Sequence, residues 1–280
     1  MAMYFLKQQA IILRSGFMID THCHLEQKAY DADRDEVIAK CRKELQAVVT
    51  CAAKPDYYAK TFAMVDKHSG FVFAVAGIHP EYVEEFSDAD VEAAIGKIEK
   101  NRRSVVGVGE TGLDYSYIKT AADRERQRAL FAKFVGLANK LGLPVVVHIR
   151  NGEDREEADA FEDAMDILER EGAKRVQLHM FGSRKFLERA LGNGWYVSAN
   201  AIVLRSKSYS KVVRDTPLER LMLETDAPWL HPSGDAGQRN DPTGVCAVAE
   251  RVAEITGMSV EDVDAVTTRN AAEFYGLKTA

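Results

Sequence analysis

Short apolar runs alternate with amphipathic stretches along the chain from residue 18 onward. The apolar runs are MID at 18–20, AVVTCAA at 47–53, FVFAVAGIHP at 71–80 and SVVGVGETGLD at 104–114. They continue with PVVVHIR at 144–150, RVQLHMF at 175–181, WYVSANAIV at 195–203 and RLMLETDAP at 220–228. These segments are rich in Val, Ile, Leu and Ala and alternate little, as strands buried on both faces do. Between them the spacing predicts helices around 33–45, 56–68, 88–100, 121–142, 155–171, 183–191 and 206–213. Further helices are expected near 243–256, 260–266 and 269–275. Within 121–142, Leu130, Phe131, Phe134, Leu137 and Ala138 recur three and four apart and form one stripe to be buried. Eight β-like runs, most followed by a helix, predict a single (β/α)8 TIM barrel. A doubly wound open sheet is the alternative, but no Gly-x-Gly-x-x-Gly follows the first strand and no Walker loop is present.

Composition narrows the class. The chain has 280 residues, 46% hydrophobic and 29% charged, which suits one large core. A net charge of −6 argues against a strongly basic nucleic-acid coat, though not against a metal site that handles phosphate. Cys23, Cys41, Cys51 and Cys246 are scattered without Cys-x-x-Cys spacing, so free thiols and a cytoplasmic setting are expected. No stretch approaches the roughly 20 apolar residues of a membrane span. Residues 1–17 are broken by Lys7, Gln8, Gln9 and Arg14 and lack the pattern of a signal peptide. They are read as an N-terminal extension outside the core, with 18–280 forming the barrel. Nothing in the chain calls for an obligate protein partner.

The candidate chemistry lies at the ends of the apolar runs. In "MIDTHCHLE" the two histidines His22 and His24 stand one residue apart, so on a strand they project to the same face while Cys23 faces away. Two adjacent imidazoles pack poorly in a core but serve well as a ligand pair. Alone, such a pair also fits an ordinary polar strand end. The other runs end in His79, Glu110, His148, His179 and Asp226, so five of the seven histidines fall at one rim of the expected barrel. That rim is where TIM-barrel sites are built. Four imidazoles and two carboxylates exceed what one tetrahedral zinc with an open position needs. Two divalent ions per chain are therefore expected, one with His22, His24 and Asp226, the other with His148 and His179. Glu110, whose carboxylate has two oxygens, would bridge them. The residue set does not distinguish Zn, Mg and Mn.

Six ordered motifs, "DTHCHL", "GIHP", "GETGLDY", "PVVVHIRN", "ETDAPWL" and "RNAAEFYGL", resemble the TatD family of metal-dependent deoxyribonucleases across residues 18–277. The resemblance implies a TIM barrel similar to that of the amidohydrolases and a divalent-metal phosphodiesterase with DNA as substrate. It implies His22, His24, Glu110, His148, His179 and Asp226 as metal ligands. One departure stands out: the family pattern His-Cys-Phe-Ser-Gly is here "HMFGS", which keeps His179 and alters Met180 and Gly182.

The most specific expectation is a two-metal 3′→5′ exodeoxyribonuclease in which Asp226 and Glu110 are catalytic. Asp226 would orient or deprotonate the attacking water. An amidohydrolase or lactonase acting on a small molecule through the same metal pair is the alternative, and a catalytically silent binder is a third. Around the metals, His79 reads as a phosphate contact or a fixed turn before Pro80. Arg150, two residues beyond His148, reads as a phosphate contact or a rim ion pair. Asp20 and Glu224 read as buried acids behind the ligands. His68 reads as a helix-dipole contact. His231 reads as a loop residue. The "RNDP" segment Arg239–Asn240–Asp241 reads as a substrate or capping loop, and Arg205, Lys207, Lys211 and Arg214 as a solvated face or a phosphate guide.

Overall fold

The computed structural model describes residues 18–117, 120–153 and 159–277, so the extension expected over 1–17 lies outside the described residues. Eight strands form one sheet in sequence order: β1 (Met18–Cys23), β2 (Leu45–Ala52), β3 (Val72–Ala76), β4 (Val105–Asp114), β5 (Val145–Arg150), β6 (Val176–Leu178), β7 (Tyr196–Ala199) and β8 (Leu221–Leu223). Every neighbouring pair from β1 to β8 is parallel. The helices are α1 (Arg34–Glu44), α2 (Tyr58–Lys67), α3 (Asp88–Lys100), α4 (Ala121–Leu141), α5 (Ala160–Arg170), α6 (Leu187–Gly192), α7 (Lys207–Asp215), α8 (Val245–Thr256) and α9 (Val260–Tyr275). The architecture is the (β/α)8 barrel expected from the pattern. No helix among the described residues is long and apolar enough to cross a membrane.

The last seam is made just past the strand ends. Asp226 N donates to His22 O at 2.9 Å, and His24 N donates to Ala227 O at 2.7 Å. Buried Asp20 accepts from the Thr225 amide at 3.0 Å and from its hydroxyl at 2.6 Å. These bonds bring β8 round to β1, so His22, His24 and Asp226 meet across the seam.

Inside the barrel, Ile19, Ala47, Val49, Val75, Val106, Val146 and Met222 pack against Ala271, Phe274 and Tyr275 of α9. The final helix thus covers the N-terminal mouth. The C-terminal ends of the strands are left to form the site, the usual division of labour in this fold.

Three expectations about elements need correction. The seventh and eighth apolar runs stop being strand at Ala199 and Leu223, well before 203 and 228. After β7, the Asn200 side chain accepts from Ile202 N and opens a 3-10 turn over Ala201–Leu204. After β8 the chain turns through Asp226 at φ 60°. The helices expected at 260–266 and 269–275 are the single helix α9. Thr267 and Thr268 at the expected break bond within it, Thr267 Oγ1 to Val263 O at 2.8 Å and Thr268 Oγ1 to Asp264 Oδ1 at 2.9 Å. Hydroxyls satisfied in this way do not interrupt a helix. The helix expected at 183–191 begins only at Leu187.

Asn270 explains part of the closing motif. Its side-chain amide donates at 2.8 Å to both Leu218 O and Leu221 O, tying α9 to the entry of β8. Asn270→Ala is expected to remove both buried hydrogen bonds and to cost about 2 kcal/mol. Urea or thermal unfolding of this variant beside Arg269→Ala checks it. The exposed Arg269 should shift stability by no more than about 0.5 kcal/mol.

Candidate metal centre

Close approach of backbones positions the central acid. At Gly109 and Gly112 the backbone has φ values of 144° and 145°. A Cβ at Gly109 would lie 2.4 Å from Val146 O, and one at Gly112 would lie 2.0 Å from His148 O. Only glycine fits between β4 and β5 at these places. That is the physical content of "GVGETG", and it seats Glu110 between the strand ends at 3% exposure.

The two oxygens of Glu110 face different partners. Oε2 is 3.3 Å from His22 Nε2 and 3.7 Å from His24 Nε2. Oε1 is 2.9 Å from His148 Nδ1, 3.8 Å from His179 Nε2 and 3.7 Å from His79 Nε2. Asp226 Oδ1 stands 3.4 Å from His24 Nε2, 3.8 Å from His22 Nε2 and 4.0 Å from His179 Nε2. His22 Nε2 and His24 Nε2 face each other at 3.1 Å, and the His22 and His179 rings stack at 3.8 Å. Every residue read as a ligand from the sequence is therefore gathered in one place, and His79 joins them.

A second layer of acids aims the rings. Glu26 Oε1 is 3.1 Å from His24 Nδ1, and its other oxygen accepts from Thr50 Oγ1 at 2.8 Å. Glu224 Oε1 is 2.9 Å from His179 Nδ1 and accepts from Met180 N at 2.9 Å, while Ser198 Oγ donates to Oε2 at 2.6 Å. Asp114 Oδ2 is 2.9 Å from His148 Nε2. Asp114 is steadied in turn by Ser116 and by Gln127 Oε1, which accepts from its amide. Acids beside the outer nitrogens of His24 and His179 turn each Nε2 inward, the nitrogen that a metal would take.

Burial and charge divide the group electrostatically. Burial, reinforced by His179, lowers the pKa of His22, and burial with His148 drives His79 down to about 3. Burial also works against charge on His148, yet Asp114 and Glu110 outweigh it and raise it to about 10. Glu224 and Glu110 likewise overcome burial to hold His179 at about 9. Burial alone would push Glu110 up, but His22, His79 and His179 hold it well below the usual carboxylate range.

Imidazole nitrogens and carboxylate oxygens converging at these separations form a donor set that suits divalent cations. The sets His22, His24, Glu110 and His79, Glu110, His148 each place one ligand atom per residue within 4.8 Å of the others. Glu110 belongs to both. Above them lies a cavity of about 330 Å³ bordered by His24, His79, His148, Arg150, Asp226 and Trp229. Arg150 is exposed at its edge, with no carboxylate partner among the described residues.

Other polar residues turn out to be structural. Arg239 is tied to Asp33 and to Ala29 O, and Asn240 donates to Trp229 O, so "RNDP" is a capping loop. Arg205 donates to His231 O and Pro232 O, and Arg214 pairs with Asp215. The imidazole of His68 is 2.9 Å from Asp35 Oδ1, an ion-pair partner not anticipated from its helix end. Glu26 and Asp114 were missed as supporting acids. Asp114 stands four past Glu110 on β4, a spacing that returns a strand side chain to the same face, whereas Glu26 stands two past His24 in the turn after β1.

The chain is similar to known proteins over nearly its whole length. Residues 19–276 match the family model described as TatD related DNase. Deoxyribonuclease TATDN3 of Homo sapiens is 32% identical over 268 residues, covering 92% of this chain and 94% of the relative. The metal-dependent hydrolase YabD of Bacillus subtilis is 32% identical, covering 93% of this chain and 99% of that one. The crystal structure of the TatD homologue YjjV from Escherichia coli superposes with a TM-score of 0.83 at 25% identity, covering 94% of this chain and 98% of that one. A barrel whose C-terminal rim gathers imidazoles and acids, matched by sequence and fold along its length, belongs to the TatD family of metal-dependent hydrolases.

Proposed function

We propose that the protein is a two-metal phosphodiesterase that degrades DNA from the 3′ end. The observation that carries this reading is the double-faced position of Glu110, with Oε2 toward His22 and His24 and Oε1 toward His148 and His179. In this reading His22, His24 and Asp226 would hold one divalent ion, His148 and His179 a second, and Glu110 both. Zn, Mg and Mn all suit the donor set. When bound, such a pair supplies a water of lowered pKa and positive charge for the phosphoryl group. The deoxyribonuclease name of the human relative supports DNA as the substrate. The free thiols of all four cysteines support a reducing, cytoplasmic setting.

The protein's own groups divide the remaining work. His24, His179 and His22 hold the Asp226 carboxylate below its usual range despite burial, so it is ionised and can hold a cation and accept a hydrogen bond from the attacking water. His79 is neutral, and its Nδ1 accepts from Glu81 N at 3.2 Å, so its proton sits on Nε2 and faces the site. It is therefore a donor to a phosphate oxygen. Arg150, at the cavity edge, supplies a second donor that carries charge.

Two outcomes test this function. Treating the protein with a chelator should abolish shortening of 3′- and 5′-end-labelled single-stranded and duplex DNA. Added Mg, Mn or Zn should restore it, with loss from the 3′ end. Undiminished cleavage by demetallated protein would contradict the reading. Glu110→Gln keeps the shape but replaces one ligand oxygen by a donor. Hydrolysis should fall by roughly 10²-fold or more, at least the cost of losing one transition-state donor. Metal content should fall below two per chain while circular dichroism stays unchanged. A folded variant with two metals and near wild-type cleavage would refute the bridging role.

A further inference from the structure

We propose that the large cavity beside the metal centre is the subsite for the nucleoside attached to the scissile phosphate, and that Tyr209, admitted by Gly182, forms its inner wall. The proposal rests on the phosphodiesterase reading and goes beyond it by naming what sets substrate fit.

The cavity measures about 960 Å³ and spans the rims of β5, β6 and β7. It shares Arg150 and Met180 with the cavity over the metal centre, so a ligand filling both would place its phosphate at the junction, beside Arg150. Its size lies at the upper end of the roughly 300–1,000 Å³ typical of small-molecule sites. Ile149, Phe161, Phe186 and Ile202 supply apolar wall, and Asn151 and Ser183 supply polar edges. The acid Asp159 is engaged by Lys185 at 3.1 Å and by Asn151 at 3.2 Å. Aromatic and aliphatic wall set against polar side chains, Glu153 and Ser116 among them, suits the stacking face of a base and the hydroxyls of its sugar.

Tyr209 and Gly182 shape this wall together. A Cβ at residue 182 would lie 2.6 Å from Cε2 of Tyr209, so the ring occupies its place only because residue 182 is glycine. The departure "HMFGS" from the family pattern therefore has a physical counterpart on α7. Tyr209 is only 8% exposed, and its hydroxyl is buried with no hydrogen-bond partner among the described residues.

The test compares two esters on the manganese-loaded enzyme. Thymidine 5′-p-nitrophenyl phosphate carries a nucleoside, whereas methyl p-nitrophenyl phosphate carries a group too small to fill the chamber. The readout is the ratio of their kcat/KM values, which cancels any loss of active protein. Gly182→Ala, which displaces the Tyr209 ring from the wall, should lower this ratio about tenfold or more. Ser183→Trp, which fills the chamber from its partly exposed rim, should do the same and covers the case in which Gly182→Ala fails to fold. A ratio unchanged in Ser183→Trp would overturn the proposal. Calorimetric titration with thymidine 5′-monophosphate separates the subsite from the reaction. If the wild type hydrolyses neither ester, binding of this nucleotide weakened tenfold by Ser183→Trp would still support the subsite. Absent binding, or equal binding by both proteins, would overturn it.

Discussion

The site depends on a carboxylate buried where its charge must be met. Glu110 lies at 3% exposure with five imidazoles around it. An ionised acid in that position is tolerable only if opposite charge or ligand donors surround it. Much of the rim follows from this requirement. Two glycines let β4 press against β5 so that the acid reaches the centre, and the seam between β8 and β1 carries Asp226 to the far side of the same cluster.

The requirement extends down into the barrel. Each ring that faces Glu110 needs a fixed orientation, and Glu26, Glu224 and Asp114 provide it for His24, His179 and His148. These acids are anchored in turn by groups from other strands. Gln177 donates to Thr21 Oγ1 at 3.1 Å and to Glu224 Oε2 at 3.3 Å, and the Tyr275 hydroxyl of α9 donates to Gln177 Oε1. A hydrogen-bonded path thus runs from the helix that covers the N-terminal mouth to Glu224, whose other oxygen lies 2.9 Å from His179 Nδ1 at the opposite rim. Networks of this kind hold side chains in one arrangement.

What the sequence made legible follows the range of each interaction. Strands buried on both faces must be continuously apolar, so the eight runs were plain. Their ends were not, because the apolar segment at 201–203 continues into a 3-10 turn that the Asn200 side chain sets. His22 and His24 were legible because their spacing is local and a pair of imidazoles is hard to bury idly. Asp114 was not, since it takes its meaning from His148 on the neighbouring strand, and Glu26 was not, because it lies past the end of β1, where strand spacing no longer says which way a side chain points. The contact between Gly182 and Tyr209 joins distant parts of the sequence, and a glycine gives no sign of the ring it admits.

The central claim is that Glu110 stands between two cations. Anomalous diffraction from crystals grown with manganese tests it most directly. Two peaks per chain are expected, one among His22, His24 and Asp226 and the other by His148 and His179, with one Glu110 oxygen on each. A single peak at full manganese occupancy, or two peaks with Glu110 bound to only one, would contradict the account.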